Sequence, residues 1–169
     1  MKKIKNASII ILSLLILISY IIVSNTSNKA KIANELNITL NDSKIITYKD
    51  SHDNFHGDGL TYAEISLTEK DYNVLINSLQ SNSGWTVCPV SNIVEILLYG
   101  KNGHGPYIKD SEMAISIPNI TNGYYFFNTI PASNFPRNTD ELSYEFSLNV
   151  TIALFDKNNS MIYYYKYDS

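Results

Sequence analysis

The stretch YEFSLNVTIAL, residues 144–154, decides what kind of fold this chain can form. Large apolar residues occupy every second position of its eleven residues, and polar or small residues occupy the positions between them. This period of two predicts a β-strand with one face buried and the other exposed to water. The turn sequence DKNNS, residues 156–160, follows, and residues 161–167 return as the strand-forming run MIYYYKY. The C-terminal part therefore predicts an antiparallel hairpin.

The segments before this hairpin predict further strands and one clear helix. Strands are expected at residues 45–48, 60–67 and 123–127, because these runs are rich in β-branched and aromatic residues. The helix is expected to begin with Thr68 as its N-cap residue. Apolar residues then recur at helical spacing, which gives the helix one apolar face: Tyr72, Leu75, Ile76 and Leu79.

Two further segments complete the expected domain. Residues 92–99 fit a helix or a strand equally well, and residues 100–106 (GKNGHGP) form a glycine-rich turn. The sequence thus predicts the α+β class over residues 44–169, with a mostly antiparallel sheet and one or two helices packed against one face.

An apolar run at residues 7–23 determines where the chain is expected to reside. Its seventeen residues follow Lys2, Lys3 and Lys5 and carry no charge. As a helix they span about 26 Å, close to the ~30 Å hydrocarbon core of a bilayer. The lysines keep the N-terminus cytoplasmic, so the sequence predicts a single-pass signal-anchor at residues 1–24 with the remainder outside the cell membrane.

Two other interpretations of this run stay open. A cleaved signal peptide has a similar charged and apolar arrangement, but its apolar core is usually shorter, and no good small-x-small cleavage site follows here. A buried core helix is the other alternative. Residues 25–43 are polar and are interpreted as a spacer, with a helical turn near residues 32–36.

Composition limits the classes of partner. The chain has 13 basic and 16 acidic residues, and 10 basic residues remain once the three N-terminal lysines are set aside, which leaves the exported part at −6. This charge argues against nucleic acid as a partner and against electrostatic adhesion to anionic lipid. The single cysteine, Cys88, excludes an internal disulfide.

The loop SHDNFHGDG, residues 51–59, contains the candidate site. Imidazole and carboxylate groups are ligands for Zn, Mn or Fe, so His52, Asp53, His56 and Asp58 form a candidate metal or ligand loop. His104, between two glycines, is a possible additional ligand if its turn lies at the same end of the sheet. The cofactor itself stays unknown.

The same loop has a purely structural interpretation. Asp58-Gly59 is a hairpin-turn dipeptide, Gly57 permits a positive φ, and Asp53 would bond to local backbone amides. A partner-binding or catalytic loop is a third alternative. The i, i+4 spacing of the histidines resembles a metalloprotease pair, but that pair needs a helix and a glutamate after the first histidine.

Three blocks of the sequence carry a resemblance. They are FHGDG (55–59), IPNITNGYYFF (117–127) and TIALFDKNNSMIYYYKYD (151–168). Together they resemble the blocks of an uncharacterised family of small membrane-anchored or lipoprotein-like exported proteins of Gram-positive bacteria. The resemblance covers most of residues 45–168 and implies an exported single-domain protein, without implying an activity.

Three functional hypotheses follow from these features. The first is a non-enzymatic domain, anchored by residues 7–23, that binds an envelope protein as a binding or accessory protein. The second is a metal-binding or metal-dependent hydrolytic domain that uses the 51–59 loop. The third is a stable domain whose loop is only a hairpin turn. No G-x-S-x-G, P-loop or C-x-x-C motif is present, so no catalytic residue is assigned.

Overall fold

The computed structural model describes residues 2–52, 57–79, 84–108, 115–129 and 148–168. This part of the chain contains three helices and six strands. In chain order they are α1 (Lys2–Glu35), β1 (Lys44–Asp50), β2 (Gly59–Ser66), α2 (Glu69–Leu79), β3 (Trp85–Val87), α3 (Asn92–Tyr99), β4 (Gly123–Thr129), β5 (Val150–Asp156) and β6 (Met161–Asp168).

The six strands form one sheet in the order β1-β2-β6-β5-β4-β3, and every neighbouring pair is antiparallel. The predicted C-terminal hairpin is confirmed, since Asp156 pairs with Met161 around the turn. Its two strands lie in the centre of the sheet, where β6 also pairs with β2. The α+β class and the antiparallel sheet are therefore as the sequence predicts.

The sequence predicted that one face of the strand at residues 144–154 would be exposed to water. This prediction is wrong, because all seven residues of β5 are buried. Val150, Ile152 and Leu154 join the core on the α3 side of the sheet. Ala153 packs into a second core, under α1 and α2, and Thr151 on that same face is buried too. Helices therefore pack against both faces rather than one, and the small alternate residues of β5 leave room for α1.

The end of α1 differs from the predicted polar spacer. Ile32, Leu36 and Leu40 are at most 6% exposed and belong to the core beneath α2. The Leu36 carbonyl also accepts a hydrogen bond of 3.1 Å from the indole nitrogen of Trp85. Ile32 and Leu36 lie one helical turn apart on the same side, and Leu40 follows in the segment after the helix. Together they pack this polar segment against the sheet.

The start of α2 is as predicted. The Thr68 hydroxyl accepts a hydrogen bond of 3.3 Å from the Asp71 amide, which makes Thr68 the N-cap. Leu75 and Leu79 are buried on the face that meets the sheet. The undecided segment 92–99 is the helix α3, and four of its eight residues are buried.

Within the described residues, none of the helices meets the length and hydropathy needed for a bilayer span. The side chains of residues 2–10, 18, 20–22 and 25 are not among those described. Residues 144–147 of the predicted strand 144–154 also lie outside the described residues.

Candidate functional site

His52 lies at the end of the sheet between two carboxylates. Its Nδ1 atom is 2.6 Å from Asp50 Oδ1, and its Nε2 atom is 3.2 Å from Asp168 Oδ2. The Thr61 hydroxyl is 3.3 Å from the same Nδ1 atom. The side chain of His52 thus joins the last residues of β1 and β6 across the intervening strand β2.

Local backbone geometry explains how His52 reaches this position. Asp50 pairs with Thr61 at the end of the β1–β2 ladder, and the Ser51 amide continues the pairing to the Leu60 carbonyl at 3.1 Å. A Cβ atom on Gly59 would lie 2.6 Å from the His52 Cα, so only glycine permits this close approach. The glycine of the Asp58-Gly59 dipeptide therefore serves to position His52.

The pKa of Asp50 reflects the contacts of its carboxylate with His52. Partial burial acts to raise the pKa of Asp50, but hydrogen bonds from the His52 ring and amide outweigh it, so the pKa lies below its ordinary value. The ring nitrogen nearest to Asp50 donates its proton to that carboxylate and is not free to accept one from Thr61. The group holds an imidazole between two carboxylates, and it does not pair a nucleophile with a base.

A polar pocket of about 190 Å³ adjoins this group on the α1 face. At its base the Glu35 carboxylate accepts hydrogen bonds from the Thr151 hydroxyl at 2.7 Å and the Tyr164 hydroxyl at 2.6 Å. The ammonium of Lys166 is 3.6 Å from Glu35 Oε1. Burial, and then the bond to Glu35, raises the pKa of Tyr164, so this phenol stays protonated.

The structure brings together only part of the predicted loop site. His52 joins the carboxylate group described above, whereas Asp58 is exposed. Asp53 and His56 lie outside the described residues. His104 pairs through its backbone with Lys101 in the turn after α3. Among the described side chains, no three or more of His, Cys, Asp and Glu are grouped so as to hold a metal ion. The four-residue site therefore stays a prediction.

The partners of His52 were not identified from the sequence. Asp50 is only two residues from His52, so a contact between these two side chains could have been predicted from the sequence. Asp168 is 116 residues away, and only the β2–β6 register, in which Gly59 faces Asp168, brings it close. Glu35 was assigned to the spacer. No pattern in the sequence indicated that it would contact the central strands of the sheet.

Cys88 is not a candidate nucleophile. It is buried, and burial followed by the nearby Asp156 charge raises the pKa of its thiol. It therefore behaves as a small buried hydrophobic residue.

Comparison of this chain with protein families, curated proteins and solved structures finds no match. The resemblance to exported Gram-positive proteins therefore stays a prediction.

Proposed function

We propose that this protein is a non-enzymatic domain, held at the cell membrane by residues 7–23, that binds an envelope protein outside the cell. The observation that supports the membrane part of this proposal is the exposure of the apolar side chains of α1. Ile11, Leu12 and Leu14 to Leu17 are each between 54% and 60% exposed. A contiguous apolar surface of this kind is usually covered by a membrane or by another protein.

The other end of α1 supports a tethering role. The same helix that begins in the lysine-led apolar run ends with Ile32 buried beneath the sheet. A membrane helix that continues into the domain core would hold the domain close to the bilayer. The non-enzymatic part of the proposal is supported by the site, where His52 and Glu35 are engaged with partners of their own.

The test is retention of the full chain in washed membranes of an expressing bacterium. We expect the unmodified chain to stay in the membrane fraction after an alkaline carbonate wash. The double variant Leu14→Lys/Leu15→Lys should leave it, because each lysine near the centre of a span costs about 2.5–3.5 kcal/mol. An alkaline phosphatase fused to the C-terminus should be active, which requires export.

The matched control is Val87→Lys, which alters an apolar side chain 63% exposed on β3. This variant should remain in the membrane fraction. Release of the unmodified chain by carbonate would contradict the anchor. Failure of the anchored chain to crosslink any envelope protein in its own host would contradict the binding role.

A further inference from the structure

The polar pocket of about 190 Å³ on the α1 face is formed by segments from three parts of the chain. One wall is the last part of α1, where Lys31 and Glu35 lie four positions apart and therefore on the same face of the helix. The facing walls come from the sheet and include Asp50 at the end of β1 and Lys166 near the end of β6. The pocket thus brings together charged side chains that are distant in sequence.

Two ammonium groups at this pocket have hydrogen-bonding capacity to spare. The Lys166 ammonium is 3.6 Å from Glu35 Oε1, which is beyond hydrogen-bonding distance. Lys31 takes part in none of the ion pairs that the described residues form. Glu35 does not depend on either lysine, because the Thr151 and Tyr164 hydroxyls already donate to its two oxygens. Both ammonium groups can therefore donate to a bound anionic group.

The same pocket contains a carboxylate oxygen that can accept from a cation. Asp50 contacts the His52 ring and amide through its Oδ1 atom, at 2.6 and 3.2 Å. Its Oδ2 atom accepts from the Tyr48 hydroxyl at 3.3 Å, which is long for an O–H donor. A carboxylate oxygen has two lone pairs, so Oδ2 retains capacity for a second donor.

The charges of the pocket favour a ligand that carries both signs. Its lining holds two lysines and two carboxylates, the latter from Glu35 and Asp50. A purely anionic ligand would face these carboxylates and a purely cationic one would face the lysines, whereas a zwitterion directs each charge toward an opposite one. We propose that this pocket binds a free α-amino acid, whose carboxylate contacts Lys31 and Lys166 and whose ammonium group contacts Asp50.

The volume of the pocket limits the size of this ligand. About 190 Å³ is less than the roughly 300–1,000 Å³ of sites for drug-sized molecules. At about 30 Å³ for each water-sized unit, the pocket accommodates roughly six non-hydrogen atoms, as in alanine. Lys31 and Asp50 are exposed, so the pocket is accessible from solvent. Binding here does not depend on the proposed membrane function.

The test titrates L-alanine into the full chain in a maltoside micelle, whose headgroups carry no charge, and follows methyl resonances by NMR. We expect saturable shifts at Ile32 and Thr61, which line the pocket, and none at Leu97 and Ile108 in the core on the α3 face. Propionate lacks the ammonium group of alanine, and ethylamine lacks its carboxylate. Each should bind at least about tenfold more weakly than alanine, because each loses one set of charged contacts.

Two variants of the pocket test the assigned contacts. Lys31→Gln should weaken binding of alanine and propionate by roughly tenfold and leave ethylamine unchanged. Asp50→Asn should weaken alanine and ethylamine and leave propionate unchanged. The matched control is Lys44→Gln, which removes an exposed lysine at the other end of β1 and should leave all three probes unaffected. The proposal is overturned if alanine gives no saturable shifts at Ile32 and Thr61, if propionate or ethylamine binds as tightly as alanine, or if Lys31→Gln has no more effect than the control.

Discussion

At the scale of single residues, Asp71 joins the start of α2 to the segment before β1. It is 1% exposed, and its Oδ2 atom accepts hydrogen bonds from the Asp42 amide at 2.8 Å, the Ser43 amide at 2.7 Å and the Ser43 hydroxyl at 2.6 Å. Burial acts to raise the pKa of Asp71, but these hydrogen bonds outweigh it, so the pKa lies below its ordinary value.

We predict that Asp71→Asn destabilises the folded chain by about 2 kcal/mol at pH 7, because three hydrogen bonds lose their charged acceptor. A carboxylate whose pKa is lowered by folding contributes stability above its unfolded pKa of about 3.9. That contribution is lost as the pH falls through the folded pKa. The difference between the two proteins should therefore shrink below pH 4. Urea titration of the full chain in a mild detergent, followed by Trp85 fluorescence, measures both effects.

Asp42→Asn is the matched control for this prediction. Asp42 also forms a carboxylate contact, 2.9 Å from the Lys70 ammonium, but its side chain is 52% exposed. Exposed ion pairs contribute little, so this variant should change the unfolding free energy by less than about 0.5 kcal/mol. An equal loss in the two variants would mean that the hydrogen bonds of Asp71 are not the cause.

At the scale of elements, the last turns of α1 are part of the domain. We predict that a chain beginning at Ser24 folds cooperatively, whereas a chain beginning at Ile38 loses roughly 3–6 kcal/mol. The shorter chain lacks Ile32 and Leu36, and burial of each side chain contributes about 1.5–3 kcal/mol. It also lacks the Leu36 carbonyl that accepts from Trp85. Such a loss removes much of the 5–15 kcal/mol that typically stabilises a domain.

Urea unfolding and the emission maximum of Trp85 distinguish the two chains. The chain from Ser24 should keep the emission of a buried indole, and the chain from Ile38 should shift toward that of an exposed one. Asn34→Ala in the longer chain, at an exposed position of the same helix, should have little effect. Equal stability of the two chains would show that the end of α1 is dispensable.

The elements that the sequence predicts correctly are those encoded by local patterns. Thr68 and the spacing that follows it specify α2, and the alternation through Val150 to Leu154 specifies β5. The burial of Thr151 and Ala153 has no such local signal, because what covers them is α1. The bond between Glu35 and Thr151 spans 116 residues, and no periodicity in either segment indicates it.

For the candidate site too, the sequence predicts only the part that is encoded by neighbouring residues. The histidine-rich loop is recognisable because His52 stands among residue types that bind metals, and its position between two strands follows from flanking patterns. Its contact with Asp168 depends on how β2 pairs with β6, which is a property of the assembled sheet. The polar pocket on the α1 face is likewise formed by segments that are distant in sequence.

At the scale of the whole molecule, the uneven distribution of charge bears on how the chain would meet a membrane. The three lysines at positions 2, 3 and 5 precede the apolar run, and the rest of the chain has a net charge of −6. A domain of this sign is repelled by anionic lipid headgroups. Attachment should therefore come from burial of the apolar run in lipid, which salt does not weaken. The lysines should add only a minor electrostatic contribution.

We predict that the full chain floats with lipid vesicles equally well in 0.1 M and 1 M sodium chloride, since salt screens charges and leaves apolar burial intact. The chain beginning at Ser24 should stay unbound even in low salt, on both zwitterionic and phosphatidylserine-containing vesicles. Flotation through a density gradient measures both. Release of the full chain by high salt would indicate that the lysines dominate attachment, and binding of the shorter chain would place a second membrane-binding surface on the folded domain.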